Sequence, residues 1–478
     1  MPINLSRNTK VYFTTNTANI GGVPNSPLDT LSYTAATLFE VSVQDGYSLS
    51  QSTQEQTISV NEAGNNAVRG SRSFNTALDP VDFSFSTYVR PILNTNRVEC
   101  AERLLWNALF GTGAVATTPL AITSQPTRAA TTAAAAATAT VVFTGTATGL
   151  ALDSIVNFSE STNAEWNQPA RVITAPVVAT NTTCTVEFMK PPAQAAGLSA
   201  PGTSVAYVGQ WARSGTAAGA FSYTSTMASN RNQLQGFGMI FVIDNVIYSI
   251  DNCVMDSATI DFGLDQIAMI QWAGKGARIR TLATVTGAHL TASATAAPTQ
   301  ANYITNKLST LTLASNIGGS KTTDTVPYTL AITGGQVTIS NNVTYLTPNN
   351  LSVVNSAITY FTGARSISGN VTAYLRTGET FNSSGTLYDA LLAGSATTTE
   401  PKFYAQLEMG GGANATRVEF EMPGVKLQIP TVDVQDIVST TINFMAQPHN
   451  VNYAGQAGAV GTFDLARTNE LLVKYYSA

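Results

Sequence analysis

Residues Ile58–Pro91, ISVNEAGNNAVRGSRSFNTALDPVDFSFSTYVRP, join two kinds of sequence in one unit. Asn61–Leu78 reads as a polar loop holding Gly64, Gly70 and a cluster of charge, Glu62, Arg69 and Arg72. Val81–Val89 then alternates. Val81, Phe83, Phe85, Thr87 and Val89 fall on one face, and Asp82, Ser84, Ser86, Tyr88 and Arg90 on the other. Period-two patterning rich in β-branched and aromatic residues specifies a strand with one packed and one wet face. A one-residue slip would turn both phenylalanines into water, so the register is strongly fixed. The fold therefore depends on what that wet face looks at.

Composition sets the class. The chain of 478 residues is long enough for two or three domains, each with its own core. Only 11% of residues are charged, 44% are hydrophobic, and the net charge is −5, so the polar inventory is hydroxyls and amides. That balance describes a folded, strand-rich protein rather than a disordered one. It also lacks the clustered Lys and Arg that gripping nucleic acid requires. Cys100, Cys184 and Cys253 have no disulfide or metal spacing and read as free thiols of a reducing cytoplasm. The N-terminus MPINLSRNTKVYF has no secretory pattern, and no run of about 18 apolar residues is present.

After the opening stretch, Glu99–Phe110 reads as a helix. Leu105, Ala108 and Leu109 share one face, Glu99 and Glu102 stand in the first turn, and Gly111 lies past the end. Residues 112–219 are rich in Ala, Thr and Gly, with an alanine run at Ala133–Ala137. Short apolar pieces there, Val141–Phe143, Arg171–Thr174 and Cys184–Phe188, suggest a small inserted β domain. Strands are expected again at Gly238–Ile250 and Met255–Trp272, followed by a linker at Gly287–Thr299.

The pattern then begins again. Ser86-Thr87-Tyr88-Val89-Arg90 has a counterpart in Thr372-Ala373-Tyr374-Leu375-Arg376, and Leu105–Phe110 in Leu387–Leu392. Gly46–Ser50 matches Gly335–Ile339, and Asp261–Ala273, with Ile270 and Trp272, matches Asp433–Ala446, with Ile442 and Phe444. Four blocks in one order indicate a duplication. The expected organisation is a first module at 1–111 and 220–290, an insert at 112–219 that decorates one copy, and a second module at 291–478. The fold class is mainly β, two tandem sandwich or barrel modules with one flanking helix each.

No catalytic constellation emerges. The two histidines, His289 and His449, lie near no nucleophile-elbow pattern. Gly318–Thr322 lacks P-loop spacing, and Gly410-Gly411-Gly412 reads as a turn. Asp256, Asp261, Asp265, Asp433 and Asp436 recur near strands without a calcium-loop pattern, so they read as a solvated face. No enzyme activity, metal or cofactor is expected. A surface adhesin or carbohydrate-binding β protein, with Trp166 and Trp211 of the insert as its working end, is the alternative from another class.

The second alternating strand, Ser366–Arg376, has the same two faces as the first. Its long hydroxyl face and lysine-free edge favour closure of modules into a ring. Here the chain resembles the tail tube proteins (major tail proteins) of T-five-like siphophages, in which the tube module is duplicated. The resemblance rests in the first half on Val60–Gly64, Arg69-Gly70-Ser71, Phe74-Asn75 and Ser84–Tyr88. In the second half it rests on Asn306-Lys307-Leu308, Ile332–Gly335, Asn342–Asn349, Phe361–Ala364 and Thr372–Leu375. Members of that type carry an immunoglobulin-like domain after the second module and lack the 112–219 insert.

The resemblance implies stacked trimeric, pseudo-hexameric rings around a lumen that conducts DNA during ejection. It implies lumen-lining roles for Asp82, Ser84, Ser86, Thr259, Asp261, Ser368, Asn370, Thr372, Thr441 and Asn443. The loop carrying Glu62, Arg69, Arg72 and Phe74 would reach a neighbouring subunit or ring. In the second copy Asn349, Asn350 and Ser352 replace those charges. The implied partners are further copies of the chain, a tape measure protein, tail-end proteins and double-stranded DNA passing without specific binding, with no membrane. The implied location is the virion tail, after synthesis in the host bacterial cytoplasm.

Overall fold

The alternation read at Val81–Val89 is realised in the computed structural model as a strand, Val81–Tyr88, whose odd-numbered residues are buried and whose even-numbered residues are exposed or half-buried. The structure describes residues 9–14, 38–58, 71–94, 97–110, 120–128, 138–143, 155–158, 169–172, 174–188, 205–208, 220–224, 234, 236–244, 246–282, 300–301, 303–315, 328–351, 354–376, 383–397, 403–411, 416–433, 437–447 and 470–476.

The duplication is visible as a repeated topology. In the first repeat Leu38–Val41, Thr9–Thr14, Phe237–Ile243, the first half of Val246–Asp261 and Arg278–Leu282 form one antiparallel run. Ser48–Ser50, Val81–Tyr88, Met269–Gly276 and the second half of Val246–Asp261 form another. The second repeat gives Tyr328–Leu330, Thr310–Ser315, Phe403–Gly410, Arg417–Leu427 and Leu472–Tyr476 in the same order. Its other run is Ile332–Ser340, Ser366–Tyr374, Ser439–Ala446 and the end of Arg417–Leu427, continued by Thr431–Asp433. In each repeat one long strand passes from one run into the other, and the apolar faces enclose the core.

The ladders give the correspondence between repeats. Val89 donates its N–H to Ala268, as Leu375 does to Val438, so these positions are equivalent. Ser48 then corresponds to Gln336, one residue away from the match of Gly46–Ser50 to Gly335–Ile339 read in the sequence. The correction has a physical basis: Leu49 lies opposite Phe83, as Val337 lies opposite Gly369. The sequence match would have put Leu49 in phase with the outward Thr338. Likewise Trp272, opposite Phe85, corresponds to Ile442, opposite Val371, rather than to Phe444. Phe444 instead faces Gly369, as Gly274 faces Phe83. A Cβ at Gly369 would lie 2.5 Å from the Phe444 ring, and one at Gly274 2.3 Å from the Phe83 ring. The same aromatic-on-glycine contact is thus kept in both repeats with its strands exchanged.

Other expectations change. Helix α1 spans Arg103–Phe110, so Glu99 belongs to a strand, Arg97–Cys100, rather than to a first turn. Glu102 stands before the helix, and its carbonyl accepts from Leu105 and Trp106 N–H. The expected polar loop is in part a hairpin: Thr53–Ile58 pairs with Arg72–Leu78. The strands expected at Gly238–Ile250 and Met255–Trp272 are divided as Phe237–Ile243, Val246–Asp261 and Met269–Gly276, with a turn at Asp244 (φ 53°). Helix α2 spans Ser384–Thr397 and buries Leu387 and Leu391, the counterparts of Leu105 and Leu109. The linker at Gly287–Thr299, the Ala133–Ala137 run, Gly318–Thr322, both histidines, Trp166 and Trp211 lie outside the described residues.

Within 112–219 the described strands pair only with one another. Leu120–Arg128, Val205–Val208, Ile155–Phe158, Pro169–Val172, Thr182–Phe188 and Thr138–Phe143 follow in a closed antiparallel circuit around Val141, Phe143, Cys184 and Val186. Val177–Val178 adds to one side of it.

Candidate functional site

The two repeats are joined edge to edge. Ser257, Ala258, Thr259, Ile260 and Asp261 pair with Ser340, Ile339, Thr338, Val337 and Gln336, so the second runs of both repeats make one antiparallel sheet. Because side chains alternate and registers are fixed, polar residues line up in rows across it. One row reads Ser86, Gln271, Thr259, Thr338, Ser368 and Met445. The next reads Tyr88, Met269, Asp261, Gln336, Asn370 and Asn443. Hydroxyls meet laterally: Ser48 Oγ and Ser84 Oγ are 2.8 Å apart, while Thr259 and Thr338, and Thr372 and Thr441, stand at 3.4 Å.

All of Asp82, Ser84, Ser86, Thr259, Asp261, Ser368, Asn370, Thr372, Thr441 and Asn443 fall on this face, away from the core. Sequence reading missed Ser257, Gln271, Lys275, Gln336, Thr338 and Ser340 on the same face. Alternation around Ile270 and Trp272, and around Val337 and Ile339, carries that signal. Lys275 stands opposite Asp82, which offsets charge within the face. Partial desolvation raises the Asp261 carboxyl above the ordinary aspartate range.

Several buried polar groups on the core side of the sheet are paired. Trp272 Nε1 donates to Thr87 Oγ1 at 2.8 Å, so the one hydroxyl on the packed face of Val81–Tyr88 has a partner. Trp106 Nε1 of α1 donates to Tyr475 of the second repeat at 2.7 Å, and Asn341 donates to the Leu109 carbonyl at 2.8 Å. Helix α1 is therefore held between the repeats.

Of the residues expected to reach a neighbour, Arg72 and Phe74 lie on the Arg72–Leu78 strand with exposed side chains, and Glu62 and Arg69 lie outside the described residues. The second repeat has its own hairpin, Val343–Leu346 with Thr359–Thr362, and the two hairpins meet where Leu78 N–H donates to Asn355. Asn349 and Asn350 are exposed beside the second hairpin, and Ser352 lies outside the described residues. The aspartates do not converge. Asp256 accepts from Val343 N–H at 2.7 Å, Asp265 pairs with Lys307 at 3.1 Å, and Asp436 lies outside the described residues. Among the described residues no group of His, Cys, Asp and Glu could hold a metal ion, and no helix is long and apolar enough to cross a membrane. Cys184 and Cys253 are buried free thiols, both pushed up by desolvation.

The chain is a duplicated β protein whose polar residues form hydroxyl rows on one extended sheet. No family model matches the chain. It is similar to the tail tube protein pb6 of Escherichia phage T5, with 26% identity over 433 residues that cover 88% of this chain and 70% of that protein. The similarity leaves out too little of the chain to omit either repeat. It bears out the resemblance to the tail tube proteins of T-five-like phages and, with it, a structural, non-enzymatic role in a phage tail.

Proposed function

We propose that the chain polymerises as stacked trimeric, pseudo-hexameric rings whose lumen conducts DNA during ejection. One observation carries this reading: the two repeats already share a single antiparallel sheet, joined at Ser257–Asp261 and Gln336–Ser340, so their polar faces form one uninterrupted surface. Adding chains in the same sense extends that surface until it closes, and three chains would supply six repeats.

A bore built this way would be lined by hydroxyls and amides, with Asp82 set against Lys275. Such a wall offers phosphate few cations to exchange for counterions, so DNA slides past it rather than being held. Asp82, Ser84, Asn370 and their row neighbours are the lining residues of this reading. Glu62, Arg69, Arg72 and Phe74 would bridge to an adjacent subunit or ring. The 112–219 insert would project outward, where an addition leaves the bore open. A tape measure protein and tail-end proteins are the further partners of such a tube.

Cations placed in the bore test the lining. Ser84→Lys and Asn370→Lys should leave tubes assembled, by electron microscopy, and slow DNA ejection from phage carrying them. Ejection at the wild-type rate in both would contradict the lining assignment.

A further inference from the structure

Leu472–Tyr476 lies between strands from opposite halves of the chain. On one side it pairs with Arg417–Glu421 of its own repeat. On the other it pairs with Ala220–Thr224, with Phe221 opposite Tyr475, Ser222 opposite Lys474 and Tyr223 opposite Val473. The outer run of the second repeat therefore carries one strand that the sequence places with the first, and among the described residues that strand has no other ladder. The two repeats are thus joined twice, through the polar sheet at Ser257–Asp261 and through this outer layer.

The inserted domain is rooted at this second joint. Helix α1 precedes 112–219 and Ala220–Thr224 follows it. Both meet Leu472–Tyr476: Ala220–Thr224 through its ladder, and α1 through Trp106, which donates to Tyr475 at 2.7 Å with both side chains fully buried. Arg97–Cys100, which leads into α1, touches both strands. Leu471, Val473 and Tyr475 are buried in the common core. Just before them, Glu470 pairs with Arg365 at 3.9 Å, and Arg365 Nε donates to the Asn341 side chain that holds the Leu109 carbonyl. The described strands of 112–219, by contrast, pair only with one another.

We propose that Leu472–Tyr476 is a strap that closes the joint between the repeats and fixes the root of the 112–219 domain to it. A strand laddered on both sides opens only by giving up both ladders, so the strap, Ala220–Thr224 and α1 open as one cooperative unit. The inserted domain has its own closed ladder around Val141, Phe143, Cys184 and Val186, so it stays folded when the strap opens. A partner or a force acting on that domain is received at the joint between the repeats, because both of its stems end there.

Amide hydrogen exchange of the unassembled full chain, read by mass spectrometry, tests the strap. Ser222→Pro and Tyr223→Pro each remove one backbone N–H, and because bonds alternate along an antiparallel pair only one of the two points at the strap. That variant should speed exchange roughly tenfold or more in Ala220–Thr224, Leu472–Tyr476 and α1 together, while Thr138–Phe143 and Thr182–Phe188 of the inserted domain keep wild-type rates. The other proline should leave all of these near wild type. Tyr475→Phe keeps every ladder bond and removes only the hydroxyl that Trp106 donates to, so it decides the matter should the prolines prevent folding. It should speed exchange several-fold in the same three segments. Faster exchange confined to Ala220–Thr224, or α1 at its wild-type rate in Tyr475→Phe, would overturn the strap. So would acceleration that spreads through the inserted domain or Val81–Tyr88, because the strap would then open only with the rest of the chain.

Discussion

Glu102 is a buried carboxylate with Arg90 Nε 3.9 Å from Oε1, and the backbone N–H groups of Glu102 and Arg90 turned toward it. Burial pushes its carboxyl up to about 8, against the lowering pull of Arg90. The folded chain thus holds a proton that the unfolded chain has released. The stability contributed is complete below the ordinary glutamate value of 4.5 and is lost as pH rises to about 8. Glu102→Gln should flatten that decline and raise stability at pH 8 by on the order of 4 kcal/mol, because a neutral amide has no ionised form to desolvate. Denaturant melts of the unassembled protein at pH 5 and pH 8 check this. An unchanged slope would place the pH dependence elsewhere. None of this was legible in the sequence, where Glu102 reads as a helix first-turn acid; its burial follows from where α1 packs. The face of Val81–Tyr88 was legible residue by residue, because a strand's period of two is local information. The Phe83–Gly274 and Gly369–Phe444 contacts were not, because their partners come from strands distant in sequence.

Elements show the same division. The helix sequences at Leu105–Phe110 and Leu387–Leu392 are similar, yet α1 is sealed between repeats and α2 keeps an exposed flank. Position in the tandem, not local sequence, sets that difference. Asn341 illustrates it: buried at the repeat junction, it donates to the Leu109 and Met255 carbonyls and accepts from Arg365 Nε at 3.2 Å. It therefore ties the C-terminal end of α1 to the second repeat. Asn341→Ala should destabilise the chain by roughly 1–3 kcal/mol, through carbonyls left unpaired in a dry junction. A denaturant midpoint equal to wild type would show that α1 is held by packing alone. The expected charged loop was only half right at this scale. Arg72, Ser73 and Asn75 mask a strand whose side chains are exposed as far as Thr76, because that part of it pairs only within a two-stranded hairpin.

At the scale of the molecule, duplication was the most legible feature and its geometry the least. Matching Ser86–Arg90 to Thr372–Arg376 located the second repeat. Whether the repeats would stand apart or share a sheet depended on the pairing of Ser257–Asp261 with Gln336–Ser340, which no local pattern encodes. That pairing makes the polar rows continuous and gives the chain a direction in which it can be extended by its own copies. A cryo-electron-microscopy reconstruction of tubes formed by the purified protein tests the reading most directly. It should show rings of three chains with six similar repeats, and the rows through Thr259–Thr338 and Asp261–Gln336 facing an open bore. Discrete particles without a channel, or a channel walled by the helices instead of that sheet, would contradict it.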